Sequence, residues 1–227
     1  MTGHLSLKRV IPTYMSAEEV LPSEVYLQED VRLQLDKRYL LLAQSGDGKT
    51  SLLNILYGNN RHFHGSVDYP WGNSLAVDSV RKEKFSYVFQ DLKLFPSLTA
   101  LENIQIKNAL TGHKSEEEIL GMLERVGLKH KAQTLAASLS LGQRQRVAVI
   151  RALCQPFQML LLDEPFSHLD AENSTILVGL IQEELEKQRA GLIMTSLSPS
   201  NVFDFDQILK LSLWSIAYKE ERFKSPS

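Results

Sequence analysis

The chain is short of cysteine, of long apolar runs and of excess charge, and each shortage removes a class of protein. Its one cysteine, Cys154, cannot form an intramolecular disulfide. It lies in an apolar, helix-like stretch, as a buried free thiol in a reducing compartment would. No apolar run reaches the length of a membrane-spanning helix. Lys8 and Arg9 are soon followed by Pro12 and charged residues rather than by an apolar signal core. The expectation is a cytoplasmic chain whose membrane association comes through a partner. The formal net charge is −2, so general polyanion binding is not indicated and nucleic acid is not an expected partner. There is no internal repeat and no low-complexity segment. The 227 residues are enough for a sizeable core in one or two packed units.

What is present begins with residues 43–50, Ala-Gln-Ser-Gly-Asp-Gly-Lys-Thr. They lie between an apolar run of strand length, 38–42, and a stretch with helical apolar spacing, 50–57. Gly46 and Gly48 let backbone N–H groups turn inward onto a phosphate. Lys49 is expected to reach the β- and γ-phosphates, and the Thr50 hydroxyl to coordinate Mg²⁺. The helix N-terminus adds partial positive charge at the same place. Ser45, Gly46, Asp47, Gly48, Lys49, Thr50 and Ser51 are therefore the expected nucleotide contacts. The pattern departs from G-x-x-x-x-G-K-[ST] at its first glycine, which is Ala43.

A second signal is Leu160-Leu161-Leu162-Asp163-Glu164-Pro165. Its apolar residues predict a strand in the centre of a sheet, with two acids at its C-terminal end, where open α/β sheets bind ligands. Asp163 is placed to hold Mg²⁺, and Glu164 to polarise an attacking water as general base. A third signal, residues 139–147, reads as a short loop opening a helix that ends near Leu153. A serine and backbone N–H groups at such a helix start form an anion site. That site can serve a second phosphate in the same chain or one held by another subunit.

Elsewhere the pattern alternates. Residues 31–35 and 85–89 read as strands, and 64–74 as turn-rich with short strands around it. From about 98 to 139 the character is helical. Ser115 caps a helix whose first turn is Glu116, Glu117 and Glu118, a solvated start. Its apolar face is Ile119, Leu120, Leu123 and Val126, and Gly127 stops it. Residues 159–163 and 191–195 read as buried strands flanking a helix over about 171–189, and the tail 219–227 as frayed. This order of strands and helices implies a mostly parallel sheet.

In this order and at this spacing, the motifs resemble the nucleotide-binding subunit of ATP-binding-cassette (ABC) transporters, over about residues 31–211. Residues 139–143 are similar to the family signature L-S-G-G-Q, with Leu141 in place of the first glycine. By resemblance, Ser140, Gly142 and Gln143 would contact nucleotide. Phe89-Gln90 resembles the Q-loop, so Gln90 would touch Mg²⁺ and the attacking water. Residues 167–170 resemble the D-loop, which crosses the dimer interface. Residues 88–99 with Glu102-Asn103-Ile104 look most like the lipoprotein-release, macrolide-export and cell-division branch.

The resemblance implies a P-loop NTPase α/β core with a mostly parallel sheet, a small N-terminal antiparallel β subdomain and an inserted helical subdomain. It divides a single domain, 1–227, into a core over about 1–90 and 157–215 and a helical subdomain over about 91–156. It also implies two ATP molecules with Mg²⁺, sandwiched in a head-to-tail homodimer or heterodimer. The partner would be an integral-membrane, permease-type subunit, reached from the inner face of the cell membrane. Leu94 and Phe95 are expected either in the docking groove or in ordinary core. Tyr14 and Tyr26 are each open between adenine stacking and a core or surface role.

Two departures bear on catalysis. Leu141 keeps its backbone N–H but adds bulk and could not take glycine-only dihedrals without strain. Ser196 stands where the family usually has a histidine on the γ-phosphate and catalytic glutamate. Serine can donate one hydrogen bond but lacks imidazole's charge and reach. The leading expectation is an energy-coupling ATPase with Glu164, Gln90 and Ser196 as its catalytic set. The runner-up is a slow, nucleotide-gated module signalling to a membrane or envelope partner. A soluble repair or translation factor would need insertions, a coiled coil, tandem cassettes or a basic face, none of which is evident. A small-molecule kinase has no use for a water-activating Glu164.

Overall fold

A computed structural model of the chain describes residues 3–20, 23–72 and 77–211. Up to residue 77 these form β1 (His4–Pro12), α1 (Ala17–Val20), β2 (Val31–Gln34), β3 (Arg38–Leu42), α2 (Lys49–Leu56) and β4 (Phe63–Asp68). Next come α3 (Val77–Glu83), β5 (Phe85–Val88), α4 (Ala100–Asn108), α5 (Glu116–Arg125), α6 (Leu141–Leu153), β6 (Met159–Asp163) and α7 (Ala171–Gln188). The described chain closes with β7 (Gly191–Ser196) and β8 (Gln207–Lys210). These elements group into two compact units, 1–77 with 191–227, and 78–190.

The first unit holds two kinds of sheet. β1 pairs antiparallel with β2 and with β4. β3 pairs parallel with β7 on one side and β8 on the other. Both partners bury β3, so its residues 39–42 are all core and the chain leaves the strand directly into the phosphate loop. The expectation of a turn-rich segment from His64 is corrected over 64–68, which lie in β4. Gly65 has φ +88°, and a Cβ there would sit 2.3 Å from the Lys8 carbonyl oxygen. The register of β1 against β4 shifts between Lys8 and Ile11. The glycine thus marks a bulge, where one backbone presses on another, rather than a turn. Asn73 and Ser74, and the tail 219–227, lie outside the described residues.

The second unit is built on β5 and β6, a parallel pair, with β6 buried along its whole length. Three of its helices begin with the same reciprocal cap. Thr99 with Glu102, Ser115 with Glu118 and Ser140 with Gln143 each exchange side-chain and backbone hydrogen bonds. The face of α5 is shifted slightly from the expected one: Met122 is buried and Leu120 only half-buried. Gly127 follows α5 at φ +69°, as a helix stop does. Cys154 is fully buried at the end of α6, and burial pushes its thiol up to about 12. It is thus protonated and inert at neutral pH.

A buried ion pair holds this unit together. Lys114 Nζ is 2.9 Å from the Glu184 carboxylate, with side-chain exposures of 7% and 1%. The exposed Lys187 reaches the same carboxylate at 3.1 Å. Lys114→Met would leave a buried carboxylate with one solvent-exposed cation. The expected loss is about 2–3 kcal/mol, a little below that for a fully orphaned charge because Lys187 remains. Urea denaturation measures it, and an unchanged midpoint would contradict it.

Candidate functional site

The phosphate loop grows from the end of β3. The Ala43 amide donates to the Ser196 carbonyl at 3.3 Å, so the strand pairing runs into the loop. Gly46 has φ +94° and Gly48 φ +86°. Nothing lies within 4 Å of a Cβ built on Gly46, so its need for glycine is conformational. Gly48 needs glycine on both counts, because a Cβ would lie 2.7 Å from the Tyr26 hydroxyl. Gly48 is also the N-cap of α2 and makes no side-chain cap hydrogen bond. Helix starts that follow a glycine turn of this kind bind anions.

The loop is internally tied. The Asp47 carboxylate accepts the Gln44 amide N–H at 2.8 Å. Lys49 is buried, and its Nζ donates to the carbonyls of Ala43 at 2.9 Å and Gln44 at 2.8 Å. Its ammonium is thus held against the backbone of the loop itself. Ser45 and Thr50 are exposed on the same loop and helix start.

The two tyrosines left open by the sequence separate here. Tyr26 is fully buried, and its hydroxyl donates to the Gly48 carbonyl at 2.7 Å. Burial raises its hydroxyl well beyond the usual tyrosine range. It is the floor of the loop. Tyr14 is 64% exposed, and its hydroxyl is 2.6 Å from Ser51 Oγ. Its ring therefore stands beside the start of α2 with a face open to a planar ligand.

Ser196 ends β7, opposite Leu42 at the end of β3. Its hydroxyl is turned back on its own loop, donating to the Ser198 carbonyl at 2.7 Å and accepting the Ser198 amide at 3.3 Å.

In the second unit, Gln90 follows β5 and is exposed. Leu92 and Lys93 beyond it take left-handed backbone, φ +61° and +47°. The Arg151 guanidinium pins both, donating to their carbonyls at 2.6 Å each. Asn103, fully buried, binds the next stretch through the Phe95 amide and the carbonyls of Phe95, Leu98 and Thr99. Neither Arg151 nor Asn103 was legible as loop-holding, since each acts through a reach set by packing. Leu94 lines a groove of about 150 Å³ together with Gln90, Pro96, Leu141 and Arg144. Phe95 is 51% exposed and so is not core.

Asp163 and Glu164 stand at the end of β6. Asp163 is 1% exposed, with the Tyr87 hydroxyl 3.5 Å from its carboxylate. Glu164 has left-handed backbone, φ +50°. Ser140 caps α6, and its own cap partner Gln143 occupies the Ser140 amide. Leu141 is the first residue of that helix and does not take positive φ, so the feared strain does not arise. In the following loop, Ser167 Oγ is 2.8 Å from His168 Nδ1. Asp170 caps α7, and the Asn173 backbone N–H holds its carboxyl below the usual range.

Among the described residues no group of three or more His, Cys, Asp or Glu gathers around a metal position. Mg²⁺ takes one or two protein oxygens and fills its remaining positions with water and phosphate. The Thr50 hydroxyl and the Asp163 carboxylate are oxygen donors of the required hardness.

Comparison with known proteins gives the same architecture. The ABC transporter family model matches residues 28–167. The lipoprotein-releasing system ATP-binding protein LolD of Saccharophagus degradans is 34% identical over 71% of this chain and 75% of its own. An uncharacterized ABC transporter ATP-binding protein of Bacillus subtilis, YclH, is 32% identical over 84% of this chain and 87% of its own. Among solved structures, a dimeric post-hydrolysis state of the ATP-binding cassette MJ0796 bound to ADP and Pi superposes with a TM-score of 0.75. It is 29% identical and covers 92% of this chain and 94% of its own. With its glycine-built phosphate loop, its P-loop α/β fold and the small antiparallel sheet beside it, this chain belongs to the ABC transporter family as an ATP-binding cassette.

Proposed function

We propose that the chain hydrolyses Mg-ATP as the energy-coupling subunit of a membrane transport complex. The observation that carries this is the phosphate loop, with two left-handed glycines leading into α2 and Lys49 held on the carbonyls of Ala43 and Gln44. Lys49 and residues 45–51 bind the β- and γ-phosphates, and Tyr14 stacks on the adenine. Thr50 and Asp163, with Gln90, hold the Mg²⁺, which when bound neutralises charge on the phosphates. Glu164 takes the proton of the attacking water. Ser140, Gly142 and Gln143 contact the nucleotide of a second cassette.

The remaining parts of the reading come from relatives. A similar cassette was solved as a dimer with ADP and Pi, which supports a head-to-tail homodimer or heterodimer here. Relatives named for lipoprotein release support a permease-type membrane partner, with this chain peripheral on the inner face of the membrane. No helix of the described residues is long and apolar enough to cross a membrane itself. The single domain 1–227 then comprises a core over about 1–90 and 157–215 and a helical subdomain over about 91–156. Light scattering of the Glu164→Gln variant tests the assembly. ATP should convert it to a dimer that ADP does not support, and a species indifferent to ATP would contradict the reading.

A second reading, a slow nucleotide-gated module, is favoured by one observation: the Ser196 hydroxyl is committed to Ser198. Ser196→His is expected to raise turnover about tenfold or more by restoring a contact to the γ-phosphate and base. Phosphate release measures this. An unchanged rate would mean that the chain does not depend on a side chain at 196 for turnover.

A further inference from the structure

The left-handed backbone of Glu164 is uncommon for a residue with a side chain, and neighbours must hold it in place. α6 presents one face to the loop that follows Glu164. Gly142 and Gln145 are three residues apart, hence on the same side of that helix. A Cβ on Gly142 would lie 3.0 Å from the His168 carbonyl oxygen and 3.3 Å from Leu169 Cδ2. The helix backbone thus meets the loop directly.

One turn on, the Gln145 side chain is 2% exposed and its Nε2 donates to the Glu164 carbonyl at 3.4 Å. Its Oε1 has no hydrogen-bond partner among the described residues. Next to it, Arg146 donates to the Asn173 side-chain oxygen, and Asn173 is bonded to Asp170. The first turns of α6 therefore meet segment 164–170 at its start and middle, and reach its end through Asn173. A buried amide that fills only its donor side is costly to keep for packing alone.

We infer that Gln145 is a positioning residue: through the Glu164 carbonyl it ties the orientation of that residue to the N-terminal turn of α6. The same turn carries Ser140, Gly142 and Gln143. A displacement of the helix start on engaging a nucleotide would be transmitted to Glu164 within one chain. This rests on the reading of Glu164 as the general base.

The test is Gln145→Met, which keeps the volume and removes the amide, in both the wild-type and Glu164→Gln chains. Hydrogen exchange over 164–170 should quicken several-fold, with β6 unchanged. Turnover should fall about tenfold to a hundredfold, with the KM for ATP within about twofold, as for a displaced catalytic group. No further loss should follow in the Glu164→Gln background.

Unchanged exchange over 164–170 would overturn the inference. So would a fall in turnover matched by a rise in KM and faster exchange throughout, or an equal loss in both backgrounds. Should the wild type release no more phosphate than Glu164→Gln, the base assignment fails, and exchange alone decides whether Gln145 holds the segment. Should the methionine variant not fold, Gln145→Asn keeps the amide one methylene short and is read by the same criteria.

Discussion

Glu164→Gln is expected to lower steady-state phosphate release about 10²–10³-fold while ATP stays bound. Glutamine reproduces the shape of the side chain and can still hydrogen-bond water, but it cannot take a proton at neutral pH. The residue stands at the C-terminal end of buried strand β6, beside the almost fully buried Asp163. Its left-handed backbone accepts a hydrogen bond from Gln145 of α6 at its carbonyl, a contact that does not involve the carboxylate. The substitution should therefore leave the loop geometry in place and remove one chemical capability. A fluorescent-nucleotide titration alongside the phosphate assay separates the two effects. Equal losses in affinity and turnover would put Glu164 among the binding groups instead.

Lys49→Ala is expected to weaken ATP binding about 10–100-fold, the scale of losing a charge-assisted hydrogen bond to a phosphate. Lys49 is 5% exposed and held by the carbonyls of Ala43 and Gln44. Its ammonium is therefore already ordered within the loop, and little side-chain entropy is lost on binding. The rest of the loop has independent support in the Asp47–Gln44 hydrogen bond and in Tyr26 beneath Gly48. The variant should fold normally and bind poorly. Calorimetric titration with Mg-ATP measures the loss, and undiminished affinity would remove Lys49 from the site.

Much of this was readable from local pattern. Residues 43–50 declared a strand–loop–helix phosphate site because glycine, lysine and threonine are needed there for backbone and charge reasons that act locally. β6 was equally plain, since four apolar residues before two acids are hard to place anywhere but a buried strand. β4 was misread around Gly65 because a glycine required by a close approach of β1 looks, in sequence, like a glycine required by a turn. Leu141 looked strained only on the assumption that its position needs glycine dihedrals. As the first residue of α6 it does not take positive φ. The commitment of Ser196 to Ser198, and the grips of Arg151 and Gln145, depend on where side chains end after packing. No periodicity or spacing encodes them.

The most direct measurement is phosphate release from ATP by the purified wild-type chain, with and without Mg²⁺, beside the Glu164→Gln and Lys49→Ala variants. The expected result is saturable, Mg²⁺-dependent release that Glu164→Gln abolishes at saturating ATP and that Lys49→Ala recovers only at much higher ATP. Bound ATP with no release above the Glu164→Gln background would contradict hydrolysis by this chain and leave a nucleotide-gated clamp in its place.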